Sequence, residues 1–233
     1  MTMIGDDLQQ VRTRIVEACV TAGRDPAGVR LLAVSKTFGP EAVREAHAAG
    51  QSAFGENYVQ EGLDKIEALA DLRAALEWHC IGPLQSNKTR PVAEQFDWVH
   101  SVDRLKIAER LSVQRPAHLP PLNVCLQVNV DGGANKSGVP PEDALALARA
   151  VAALPQLRLR GLMAIPEPAS DFEAQRDLCL RAHAVFSAIR EAGIELDTLS
   201  LGMSADLEAA ISAGSTMVRV GTAIFGGRAR KPA

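Results

Sequence analysis

VRLLAVSKTFGPEAVREAHAAG, residues 29–50, contains the unit from which the chain is built. Val29 to Ser35 is a short apolar run of strand length, and GPEAVREAHAAG reads as a helix that opens near Pro40 and closes at Gly50. A strand followed by a helix is one βα unit. Upstream, Ile4, Leu8, Val11, Ile15 and Cys19 fall on one helical face, before Gly23 and Pro26 stop the helix. Downstream, the same alternation returns. Candidate strands lie at 52–55, 77–82, 97–102, 122–130, 157–165, 196–202 and 216–221. Candidate helices lie at 57–76, 85–95, 103–115, 141–154, 171–192 and 203–214, with a short one after 221.

Eight strands with interleaved helices in 233 residues predict a (β/α)8 TIM barrel, since doubly wound sheets rarely need so many units in so short a chain. No composition break or linker divides the chain. A single domain over 1–233 is therefore expected, with residues 1–25 packing on the barrel as an extra N-terminal helix and 228–233 as a solvated basic tail. In such barrels chemistry sits at the C-terminal ends of the strands, so polar residues just after each apolar run carry the most weight.

The charge balance, 25 Lys+Arg against 28 Asp+Glu for a net −3, argues against a nucleic-acid-binding stripe. Cys19, Cys80, Cys125 and Cys179 are too far apart for a metal knuckle, so no metal site is expected and the thiols read as reduced and buried. The N-terminus MTMIGDDLQQ lacks the basic and apolar regions of a signal peptide, and no apolar run reaches the ~20 residues of a membrane span. A cytoplasmic protein is expected. No heptad or long apolar patch points to a dimer, so a monomer is expected.

Lys36 directly follows the strand LLAVS, which puts its amine at the barrel mouth, although a solvated loop lysine would look the same. Near the C-terminus, Ser200, Gly202 and Ser204 precede one helix, and Gly221 and Thr222 precede another. Loops after strands seven and eight are the recurring phosphate site of these barrels, while Gly and Ser can equally serve there as caps and turns. Asp206 and Glu208 fit that second reading, as acids in a first helical turn. Arg219 lies in an apolar strand, where alternation sends it with Met217 to one face, either the barrel interior or the outer helices. Barrel closure sets strand eight beside strand one. An amine facing a phosphate site suggests a phosphorylated carbonyl compound held as a Schiff base.

Seven motifs in order then resemble one family. They are AVSKTF (33–38), FGENYVQE (54–61), WHCIGPLQSNK (78–88), HSVD (100–103), QVNVDGGANKSG (127–138), GLMAI (161–165) and SLGMSADLEAAISAGSTMVRVGTAIFG (200–226). The chain resembles the pyridoxal 5′-phosphate homeostasis proteins of the YggS/PROSC type, related in fold to the barrel domain of alanine racemase. That resemblance implies a covalent aldimine between Lys36 and pyridoxal 5′-phosphate. It implies that Ser200, Gly221 and Thr222 hold the phosphate, that Arg219 approaches the pyridine nitrogen, and that Asn57, Met203 and Ser204 line the pocket. His79, Gln85, Asn87 and Lys88 read as pocket-mouth residues, with a core role open for His79. NKSG at 135–138 lacks the Gly-Lys order of a P-loop, and the resemblance makes Lys136 a second lysine on the rim.

The implied function is a carrier or buffer that holds the cofactor and delivers it to apo-enzymes, with no catalytic residue assigned. Alanine racemase takes its second base, a tyrosine, from another domain, whereas this chain has one tyrosine, Tyr58, and is expected to end with the barrel. A cation at the ring nitrogen also disfavours the pyridinium on which carbanion chemistry depends. The alternatives are a weak racemase or other cofactor-dependent enzyme using Lys36 as its single base, and a cofactor-free Schiff-base aldolase acting on a sugar phosphate.

Overall fold

Period-two alternation gives each strand an inner and an outer face, and the computed structural model, which describes residues 2–132 and 137–227, shows how both are buried. The strands are β1 (Arg30–Val34), β2 (Ala53–Glu56), β3 (Glu77–Cys80), β4 (Trp98–Val102), β5 (Leu122–Gln127), β6 (Leu157–Met163), β7 (Thr198–Ser200) and β8 (Met217–Val220). They form one closed parallel barrel in chain order, shut by pairing of β8 with β1. The outer ring comprises α2 (Pro40–Ala48), α3 (Val59–Ala68), α4 (Thr89–Gln95), α5 (Leu105–Gln114), α6 (Pro141–Ala152), α7 (Phe172–Glu191), α8 (Leu207–Ser212) and α9 (Thr222–Phe225). α1 (Met3–Thr21) precedes the first strand and packs on α2, α8 and α9.

The main core lies between the outer strand faces and the helices, and includes Val218 and Val220. Inside the barrel, Leu32, Val34, Ala53, Ile81 and Met217 make one apolar cluster, while Trp98, Cys125 and Met163 make another. All four cysteines are free and buried, and no helix among the described residues is long and apolar enough to cross a membrane. No His, Cys, Asp and Glu group suited to a metal ion occurs among the described residues.

Three expected helices are shorter than their patterns suggest. The helix expected over 203–214 is α8, beginning at Leu207, because Asp206 caps a turn through Met203 N–H at 2.7 Å. The one expected over 57–76 ends at Ala68, with Leu69 buried and a 3₁₀ turn at Ala70–Leu72. The one expected over 85–95 opens with a 3₁₀ turn at Ser86–Lys88 before α4. The tail expected at 228–233 and Lys136 lie outside the described residues.

Candidate functional site

A cavity of about 270 Å³ opens at the C-terminal end of the barrel, where the β1, β2, β7 and β8 loops meet. Lys36 reaches it from the turn after β1, Asn57 from the loop after β2, and Met203 and Ser204 from the loop after β7. Arg219 forms part of the wall from within β8, followed by Gly221 and Thr222 at the start of α9. Closure of the sheet explains the meeting of the chain's two ends. Leu32 pairs with Arg219 and Ala33 with Val220, so the Lys36 turn and the α9 entry leave adjacent strands at the same height. The approach is close: a Cβ on Gly221 would stand 3.1 Å from the Val34 carbonyl. Asn57 is held similarly, because a Cβ on Gly82 would fall 2.0 Å from its carbonyl oxygen. Only glycine permits that contact.

Arg219 points inward, resolving the choice between its two faces. It is 4% exposed, and its guanidinium donates to the Ser200 carbonyl at 2.6 Å, the Ser200 hydroxyl at 2.8 Å and the Ala164 carbonyl at 3.0 Å. Burial lowers its pKa to about 10, so it remains a cation at neutral pH. Its hydrogen bonds go to two carbonyls and a hydroxyl, and the charge of Asp206 favours its cationic form against burial.

Of the residues expected to hold the cofactor, Ser200 is the one that does not line the cavity. It is the last residue of β7, fully buried, and its hydroxyl is engaged by Arg219 and by His100 Nδ1 at 3.2 Å. The chain of contacts continues across the barrel. His100 Nε2 meets His79 Nδ1 at 2.9 Å, and His79 Nε2 meets Glu77 at 2.7 Å. One set of neutral tautomers satisfies every link, with Arg219 donating to Ser200, Ser200 to His100, His100 to His79 and His79 to Glu77. Burial lowers the pKa of both imidazoles, most strongly that of His100, consistent with neutral rings. Burial opposes ionisation of Glu77, but the His79 hydrogen bond and the charge of Arg30 hold its carboxyl at about 2.

His79 is therefore a satisfied interior residue and not a pocket-mouth one. Gln85, Asn87 and Lys88 stand exposed near the 3₁₀ turn, off the cavity wall. Asp206 caps its turn, and Glu208 pairs with Arg14 of α1 at 2.8 Å, as structural roles require. Sequence reading missed the apolar walls supplied by Val34, Phe38, Ile81 and Ile165. Isolated apolar residues at strand ends give no signal of which side they face. A buried ion cluster behind the Lys36 turn, in which Lys65 joins Glu56 and Glu61, was also missed. A roomier hollow of about 460 Å³ at the opposite end of the barrel includes Arg73 and Asp97, but these are paired with each other at 2.8 Å.

Residues 7–229 match the protein family described as alanine racemase, N-terminal domain. A pyridoxal phosphate homeostasis protein of Pseudomonas aeruginosa is 63% identical over 232 residues, covering 98% of this chain and 97% of that protein. A protein of the same description from Escherichia coli strain K12 is 56% identical over 229 residues, covering 98% of each chain. Among solved structures, PipY of Synechococcus elongatus PCC7942 with PLP bound is 37% identical, with a TM-score of 0.83 over 96% of this chain and 100% of that one. An alanine racemase from Corynebacterium glutamicum, 18% identical, has a TM-score of 0.68 over 96% of this chain and 60% of that one, a likeness of fold alone.

Proposed function

The chain belongs to the family of the pyridoxal phosphate homeostasis proteins, built on the alanine racemase N-terminal barrel, and from that premise we propose that it binds pyridoxal 5′-phosphate in the cavity beside Arg219, holds it covalently on Lys36 and delivers it to apo-enzymes. The observation that carries this reading is one cavity lined by an amine, a buried guanidinium and the polar entry to α9. That donor set suits the ligand. When bound, the cofactor supplies an aldehyde, a phosphate dianion and a ring nitrogen with a lone pair. Lys36 offers the amine for the aldehyde, and Ser204, Gly221 and Thr222 offer hydroxyl and backbone donors for the phosphate. Arg219 offers an N–H to the ring nitrogen. The cavity volume of about 270 Å³ falls near the roughly 300 Å³ at which ligand pockets begin, suited to a single-ring compound. Ser200 serves this arrangement from below by fixing Arg219.

The carrier reading is favoured over a racemase by the same residues. A fixed cation at the ring nitrogen keeps a proton off it and weakens the electron sink that carbanion chemistry needs. Tyr58, the sole tyrosine, is 59% exposed and absent from the cavity wall, so it does not face Lys36 as a second base. The four free thiols fit a reducing, cytoplasmic setting, and a monomer suffices because one chain supplies the whole cavity.

Apo-protein loaded with pyridoxal phosphate and then mixed with an apo-enzyme that requires it tests the reading. The expected result is an imine absorbance that is absent from Lys36→Ala, followed by recovery of activity in the acceptor. Absence of uptake, or cofactor that never reaches the acceptor, would contradict it.

A further inference from the structure

The turn that presents Lys36 is strained, and a buried ion cluster holds it. Phe38 N–H donates to the Ser35 carbonyl at 3.1 Å, closing a four-residue turn with Lys36 and Thr37 at its centre. Thr37 has φ +70°, the left-handed conformation that glycine normally supplies at the third position of such a turn. A β-branched residue adopts it only when its surroundings enforce it.

Those surroundings come from β2 and α3. The Lys65 ammonium, on a side chain 4% exposed, donates to the Ser35 carbonyl, Glu56 Oε1 and Glu61 Oε1, each at 2.7 Å, which uses all three of its protons. Glu56 Oε1 also accepts from the Ser35 hydroxyl at 2.6 Å, and Glu61 Oε1 accepts from Thr37 N–H at 2.5 Å. Residues on both sides of Lys36 are thus tied to one lysine and two carboxylates that do not line the cavity. Glu56 is fully buried, whereas the Glu61 side chain is 27% exposed and reaches the turn from outside.

We infer that Glu61, seated by Lys65, is a positioning residue that keeps the Lys36 turn in its cofactor-holding conformation, so that the Glu61 to Thr37 bond governs how long the cofactor stays. The inference rests on the function proposed above. With Glu61 withdrawn, Thr37 relaxes out of the left-handed region and the Lys36 amine moves from its place in the wall.

The test compares wild-type protein with Glu61→Ala, Glu61→Gln, Thr37→Gly and the double variant Glu61→Ala/Thr37→Gly, each loaded with pyridoxal phosphate. The readout is the rate of cofactor release into an excess of apo-acceptor. Glu61→Ala should release about tenfold faster, the effect of a modest loss of holding energy. Glu61→Gln, which retains the acceptor oxygen, should stay close to wild type. Thr37→Gly alone measures the loss of the threonine side chain from the wall, and the double variant should release no faster than this reference, since glycine needs no clamp at positive φ. Wild-type release from Glu61→Ala overturns the inference, as does a double variant that releases faster than Thr37→Gly. Wild-type protein that takes up no cofactor overturns the underlying reading itself, a result visible before any variant is compared.

Discussion

Replacing Arg219 by methionine removes the donors that hold Ser200 and Ala164 around the barrel interior. Buried acceptors left without partners cost about 2 kcal/mol, or about 4–8 °C in Tm for a chain of this size. Thermal unfolding of the cofactor-free Arg219→Met protein measures this directly, and an unchanged Tm would show that the guanidinium does not hold this part of the barrel. The inward face of Arg219 was half legible, since alternation paired it with Met217 without saying which face was inside. Ser200 was harder to read. Its place before the Gly202 and Ser204 loop looks like an anion site, yet it ends β7 off the cavity wall, where only the fold reveals that Arg219 and His100 take its hydroxyl. Lys36 was placed by the apolar run before it.

At the scale of elements, strand and helix order was readable because each βα unit repeats the change from an apolar run to helical spacing. Element ends were not. Apolarity suggests that the second strand stops at Gly55, but pairing continues to Glu56, whose carboxylate is compensated by Lys65 and Ser35 across a gap in sequence. The same reason hid the clamp. An i,i+4 pair such as Glu61 and Lys65 reads as an ordinary surface contact until burial shows that it closes over the turn. α1 was expected to pack on the barrel, and the structure adds a specific link: Arg14 donates to the Ser204 carbonyl at 3.2 Å and to Glu208 at 2.8 Å. The loop at the cavity wall is therefore braced by a helix remote in sequence.

For the whole molecule, the row from Glu77 through His79, His100 and Ser200 to Arg219 makes stability depend on pH. Burial depresses both imidazole pKa values below the ordinary 6.5. Below that value the unfolded chain takes up protons that the folded protein refuses, so stability falls as pH drops through about 6.5. Glu77 acts lower, its contribution present above the ordinary 4.5 and lost as pH falls toward about 2. Chemical denaturation should show a midpoint that declines from pH 7.5 to 5.5 and a shallower decline in His79→Gln/His100→Gln. A wild-type midpoint that stays level across that window would contradict the assignment of two neutral buried histidines.

The barrel brings an amine from one end of the chain beside a polar loop from the other, and cofactor holding depends on that amine forming the bond. Borohydride reduction of protein mixed with pyridoxal phosphate, followed by peptide mass mapping, tests this most directly. The expected result is a pyridoxyl adduct on Lys36. An adduct on other lysines alone, or none, would contradict it.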